Sequence, residues 1–219
     1  MPSPEAILSL AARTANEYRM LAIGWHVYLG TILGALLSGW RPSNRLAGYA
    51  VVAPLFSVSA LAWASGNPFN GATFAALALV LFGFTTRLST EPVNVAPSFQ
   101  LLAGVLLVAF GWIYPHFLTA GHWTAYMYAA PFGLLPCPTL SALIGFTLML
   151  GLLRSNAWSM TLAIAGFGYG AMGVFTLGVR LDWGLLAGAT LLGVVAGVSP
   201  RWRSERTDRD ERTRREDAA

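Results

Sequence analysis

The sequence predicts an all-α protein, a polytopic bundle of transmembrane helices, and three observations support this. The 219-residue chain is 55% hydrophobic and only 11% charged, whereas soluble domains carry about 25% charged residues. Between residues 18 and 200 it consists of about seven apolar runs. The interiors of these runs contain no Asp, Glu, Lys or Arg. We therefore expect an integral membrane protein whose main partner is the lipid bilayer.

The first segment, residues 1–17, has the pattern of an amphipathic helix. Ser3 is a typical N-cap residue, and Pro4 is well tolerated in the first turn. Apolar residues then alternate with charged ones up to residue 17. We expect this helix to lie at the membrane surface.

The apolar runs that follow are long enough to be membrane spans, because a helix of about 20 apolar residues crosses the hydrocarbon core. We place the spans at residues 18–40, 46–65, 71–86, 98–118, 132–153, 157–179 and 183–200. Residues 41–44, 65–68 and 90–97 contain Pro, Gly, Ser and Asn, which favour turns.

Arginine placement predicts the orientation of the spans, because basic residues are retained on the cytoplasmic side. All 14 basic residues are Arg. Those after the first, third, fifth and seventh spans fall on one side, and these are Arg41, Arg45, Arg87, Arg154 and the seven in the tail. The other side has Arg13, Arg19 and Arg180. The pattern predicts an external N-terminus and a cytoplasmic C-terminus, with a six-span alternative in which one run is re-entrant.

The tail, residues 201–219, mixes seven Arg with acidic residues and has almost nothing apolar to bury. Such a segment is expected to be solvated and disordered. The seven Arg of the tail lie beside six acidic residues, and the other seven are divided between the two sides of the predicted bundle. The net charge of +4 therefore provides no basic surface that could hold nucleic acid.

Small residues predict where helices pack closely, since glycines four residues apart let two backbones approach in lipid. The pairs with this spacing are Gly30/Gly34, Gly166/Gly170, Gly184/Gly188 and Gly193/Gly197. They account for tight packing within the bundle, and pairing with a second copy or with other membrane subunits remains an alternative.

The sequence Pro136-Cys137-Pro138-Thr139 is the most specific local motif. The apolar run after it, residues 139–153, would span about 22 Å, short of the roughly 30 Å hydrocarbon core. We therefore expect the helix to begin inside the membrane, after irregular chain over residues 129–136, with Thr139 and Ser141 available to cap it. A proline-bent helix end without a ligand is the simpler alternative.

Polar side chains that could bind a ligand are few, and most belong to the predicted outer half. The candidates are His26, His116, His122, Cys137, Thr139 and Asp182. His26, His116 and Cys137 would suit a soft metal or haem, although their spacing matches no metal motif and no cofactor is predicted. Asp182 lies before the last span, where it is expected to pair with Arg180 or cap the helix.

Residues 111–186 resemble an uncharacterised family of bacterial multi-pass membrane proteins, a domain of unknown function. The likeness rests on short pieces, namely Asn67-Pro68, Tyr114-Pro115, Gly121-His122, Gly133 to Thr139, Gly145, Gly178-Val179, Asp182 and Leu185. The family pattern has a second Thr where this chain has Leu140. The resemblance implies a multi-pass protein of the bacterial inner membrane and brings no activity with it.

Three functions fit these observations. The first is a small-solute or metal permease or binding protein, with an outward-facing cavity formed by His26, the broken start of the fifth span and residues 116–122. The second is a haem- or metal-binding redox protein with His26 and His116 as axial ligands. The third is a structural or assembly subunit of a membrane complex. An enzyme is disfavoured, because the sequence shows no nucleophile–base pair.

Overall fold

The computed structural model describes residues 3–119 and 121–198. Within them the chain is helical and has no β-strand, which confirms the all-α prediction. The helices of the described residues are α1 (Pro4–Glu17), α2 (Arg19–Leu37), α3 (Asn44–Ala64), α4 (Pro68–Thr85), α5 (Ser98–Ile113), α6 (Tyr126–Ala129), α7 (Pro136–Met149), α8 (Asn156–Ala171) and α9 (Asp182–Val198). The predicted disordered tail lies outside the described residues.

Four helices in the described part of the chain are long and apolar enough to cross a membrane. They are α2, α3, α4 and α8 with its π-helical continuation to Thr176. Three further apolar helices are shorter, with 16 residues in α5, 14 in α7 and 17 in α9. All seven coincide with the apolar runs of the sequence.

Helix α7 is the centre of the bundle. Every side chain from Pro138 to Leu148 is buried, and helices α3, α5, α8 and α9 pack around it. A helix that is apolar on all sides is stable only where other helices or lipid surround it, and here the neighbours are helices of the same chain. The polypeptide before α7 is irregular and buried from Ala130 to Leu135, as the sequence predicts.

Helices α5 and α7 approach closely at Gly104 and Gly145. A Cβ added to either glycine would lie 2.6 Å from the carbonyl oxygen of the other, so only hydrogen fits there. Gly166 and Gly170 give α8 a similar contact with α9, as predicted. Gly34 has no neighbouring atom within 4 Å of such a Cβ, so its predicted packing role is wrong.

Four of the arginines belong to one end of the bundle, which we call the arginine end. The backbone N–H of Asn44 donates to the carbonyl oxygen of Glu91 (2.9 Å) and joins the α2–α3 and α4–α5 connections. The Arg154 side chain, after α7, pairs with the Glu91 carboxylate. Arg41, Arg45, Arg87 and Arg154 all lie in or beside these connections.

Helix α1 packs at the opposite end. The Ser3 hydroxyl oxygen accepts from the backbone N–H of Ala6 (3.3 Å), and Pro4 is the first helical residue, as predicted. The Thr14 hydroxyl lies 3.1 Å from that of Ser65. The Asn16 amide donates to the carbonyl oxygen of Phe117 (3.0 Å) and accepts from the Thr119 N–H (2.8 Å). These contacts attach α1 to the bundle.

Candidate functional site

A cavity opens at the α1 end of the bundle. Its walls come from α1, the end of α3, the start of α4, the start of α7, the end of α8 and the start of α9. The space not filled by protein atoms is about 760 Å³, part of it open to the surroundings. Most of the lining is apolar, including Leu10 of α1, Leu61 of α3 and Leu134 before α7.

One polar part of this wall is a cluster of Tyr114, Cys137 and Asp182, of which Cys137 and Asp182 line the cavity. The other polar side chains that line the cavity are Thr14, Ser65, Asn67, Asn70 and Tyr169. The Tyr114 hydroxyl donates to Asp182 Oδ1 at 2.7 Å, and the Cys137 thiol donates to Asp182 Oδ2 at 3.2 Å. Asp182 is only 1% exposed and Tyr114 is fully buried. Both carboxylate oxygens therefore have a hydrogen-bond partner. Asp182 is the first residue of α9, where the helix dipole stabilises negative charge.

The start of α7 places Cys137 against Asp182. The Thr139 hydroxyl donates to the carbonyl oxygen of Leu135 (2.7 Å) and accepts from the N–H of Gly133 (2.9 Å). Thr139 therefore holds the irregular segment onto the first turn of α7. Pro136 and Pro138 have no N–H to satisfy, which lowers the cost of burying this helix end. Ser141 makes no cap, since its hydroxyl donates to the carbonyl oxygen of Leu107.

The end of α8 is shaped around the same carboxylate. Helix α8 continues as a π-helix over Met172–Thr176, and π-helical segments occur frequently at functional sites. A Cβ on Gly173 would overlap the Asp182 carboxylate. The carbonyl oxygen of Gly173 accepts from the N–H of Val179 (2.9 Å), which turns the chain back toward α9.

The histidines lie elsewhere. His26 is buried, with Nδ1 2.8 Å from the carbonyl oxygen of Ala22 and Nε2 2.9 Å from that of Trp112. Because both ring nitrogens face backbone carbonyls, neither is directed at the cavity. His116 is half-buried and within electrostatic range of Asp182. His122 is exposed, and none of the three lines the cavity.

The candidate metal ligands are not brought together. Among the described residues, no group of three or more His, Cys, Asp or Glu side chains is arranged to hold a metal ion. Cys137 contacts Asp182, and His26 binds α2 to the end of α5.

Comparison with known proteins adds no identification. No family model, curated protein or solved structure matches the chain. The family resemblance of residues 111–186 therefore stays a prediction, and the chemistry of the site rests on its geometry.

Sequence reasoning identified Cys137 and Asp182 but not their contact. The sequence predicts that Asp182 pairs with Arg180 or caps the last helix. Arg180 is exposed, and the Asp182 carboxylate instead accepts from Tyr114 and Cys137. Tyr114 was not a candidate, because aromatic residues at a membrane interface are common.

Proposed function

We propose that this chain is a multi-pass protein of the bacterial inner membrane that binds a small, largely apolar solute in the cavity, as a permease or a binding protein. Four span-capable helices support the membrane location. The three shorter apolar helices complete a seven-span arrangement, since each lies where the sequence has an apolar run.

The arginine end supports an orientation. Basic residues favour the cytoplasmic side of a membrane, and four arginines lie in or beside the connections at that end. With the arginine end in the cytoplasm, α1 and the cavity face outward. The N-terminus is then outside and the tail cytoplasmic.

The observation that carries the proposal is the composition of the cavity wall. Binding sites for small molecules are typically concave and mostly apolar, with a few polar groups that fix orientation. Here apolar side chains from α1, α3 and the segment before α7 surround the Cys137–Asp182 contact. The haem alternative lacks such support, because both ring nitrogens of His26 already face backbone carbonyls.

The experiment uses Cys137, the single cysteine of the chain. Its reaction rate with a small neutral maleimide is measured in the purified protein with and without octanol. We expect octanol to slow the reaction, because an occupied cavity shields the thiol.

A matched pair of variants tests the location of binding. Ala11 lines the cavity, whereas Ala6 on the same helix is exposed. Ala11→Phe should fill the cavity and abolish the protection of Cys137 by octanol. Ala6→Phe should leave this protection unchanged. Octanol protection that is equal in the two variants, or a wild-type thiol that neither octanol nor its charged analogues octylamine and octanoate protect, would refute the proposed function.

A further inference from the structure

We propose that the solute carries a positive charge, so that the cavity selects an amine with an apolar body and Asp182 is its counter-ion. The inference rests on the proposed function and specifies the chemical class of ligand.

The first step is a buried carboxylate in the cavity wall that has no cationic side chain beside it in the cavity. Asp182 is 1% exposed, and its hydrogen-bond partners Tyr114 and Cys137 are both neutral donors. A buried charge is costly unless it is paired. No Lys, Arg or His lines the cavity in the described part of the chain. A bound ammonium group would therefore supply the missing positive partner.

The second step is the set of other groups around Asp182. His116 is half-buried and near enough to interact electrostatically, but it does not line the cavity. Arg180, two residues away in sequence, is exposed. Neither His116 nor Arg180 lines the cavity, so the cavity side of the Asp182 carboxylate is left to a ligand. Ionisable residues within membrane proteins commonly mark substrate pathways.

The third step is the aromatic lining. Phe117 and Tyr169 both line the cavity, and aromatic faces attract cations. Tyr169 donates to the Asn70 side chain (3.0 Å), which fixes the position of its ring. A metal cation is less suited to the site, because no third His, Cys, Asp or Glu ligand joins Cys137 and Asp182 among the described residues.

Charged thiol reagents test the sign of the charge in the cavity wall directly. Cys137 is reacted with a methanethiosulfonate carrying a trimethylammonium group and with one carrying a sulfonate, and each rate is divided by that of a free thiol. We expect the cationic reagent to be favoured by about tenfold or more, since a charged cleft concentrates its counter-ion. Asp182→Asn should bring the ratio close to one.

A matched control removes a negative charge at the same end. Glu17 lies in α1, is exposed and does not line the cavity. Glu17→Gln should leave the ratio of the two rates unchanged. If Glu17→Gln lost as much of the preference for the cationic reagent as Asp182→Asn, the proposal would be overturned. The preference would then come from general surface charge.

Ligand binding separates this inference from the proposed function. The wild-type protein is tested with octylamine, octanol and octanoate, and protection of Cys137 from neutral maleimide is measured. Protection by octylamine at concentrations about tenfold lower than octanol supports the inference. Equal protection by both overturns it and leaves the proposed function standing, whereas no protection by any of them refutes the proposed function. These readings need only wild-type protein, so they hold if Asp182→Asn fails to fold.

Discussion

The Cys137 thiol and the Asp182 carboxylate, 45 residues apart in sequence, lie 3.2 Å apart at the wall of the cavity. Cys137 is the second residue of α7, and Asp182 is the first residue of α9. Two helix starts therefore meet at this point, and the Tyr114 hydroxyl at the end of α5 completes the contact.

Asp182→Ala should destabilise the protein. It removes the acceptor of the buried Tyr114 hydroxyl and of the partly exposed Cys137 thiol, and an unsatisfied buried group costs about 1–3 kcal/mol. Chemical denaturation in detergent, followed by circular dichroism, measures the change in the free energy of unfolding. Glu17→Ala, at an exposed position, should change it by less than about 0.5 kcal/mol. Equal stabilities for the two variants would show that the cluster does not hold the helix ends together.

Gly173→Ala should displace the Asp182 carboxylate, because the added methyl group occupies its space. Overpacking of this kind costs about 1–3 kcal/mol. Gly168→Ala, on the same helix but with open space around it, should be neutral or stabilising. In the Asp182→Ala background the cost of Gly173→Ala should fall, and the double-mutant cycle measures this coupling. Full additivity would contradict the contact.

Gly145→Ala should separate α5 from α7. The new Cβ would meet the Gly104 carbonyl oxygen and Val108, and backbone atoms cannot yield as a flexible side chain can. We expect a loss of about 1–3 kcal/mol or more, seen as a lower melting temperature in detergent. Gly83→Ala in α4, where nothing lies within 4 Å, is the control. An unchanged melting temperature for Gly145→Ala would argue against this close approach.

His26→Phe should weaken the attachment of α2 to α5, because the phenyl ring cannot bond to the carbonyl oxygens of Ala22 and Trp112. We expect a loss of about 1–2 kcal/mol from the hydrogen bond to Trp112 across the two helices. Protection of the Cys137 thiol by octanol should persist, since His26 does not line the cavity. Loss of this protection in a folded variant would assign His26 to the binding site after all.

Orientation can be tested with single cysteines in a Cys137→Ser background. Ala6→Cys lies in α1, and Thr90→Cys lies in the α4–α5 connection at the arginine end; both positions are exposed. A membrane-impermeant maleimide added to intact cells should label residue 6 and spare residue 90. The reverse pattern would invert the proposed topology, and labelling of both would point to an even number of intervening spans.

The sequence was sufficient for the helices but not for the contacts between them. Apolar runs predict the positions of α2 to α5 and α7 to α9, because a long run without charge indicates a helix that lies in lipid or in protein. The Gly104–Gly145 contact was missed because each is the sole glycine at its crossing point, without the four-residue spacing that marks small-residue pairs. Gly34 has that spacing but lies on the peripheral helix α2.

The site itself was predicted in part. The Pro-Cys-Pro sequence indicates a helix start after irregular chain, since two prolines there remove N–H groups that would need partners. The meeting of Cys137 with Asp182 depends on how α7 and α9 pack, which is a tertiary property. The histidines are candidates because they are ionisable residues in the predicted outer half, but none of them lines the cavity, whereas Cys137 and Asp182 do.

The burial of α7 on all sides has a consequence for biosynthesis. From Pro138 to Leu148 this helix has protein neighbours in every direction, and two of them, α8 and α9, are translated after it. While the ribosome is still making those helices, α7 lacks two of its four helix neighbours. The enclosure of α7 is therefore complete only when α9 has been made, and α9 begins with the aspartate that closes the cluster.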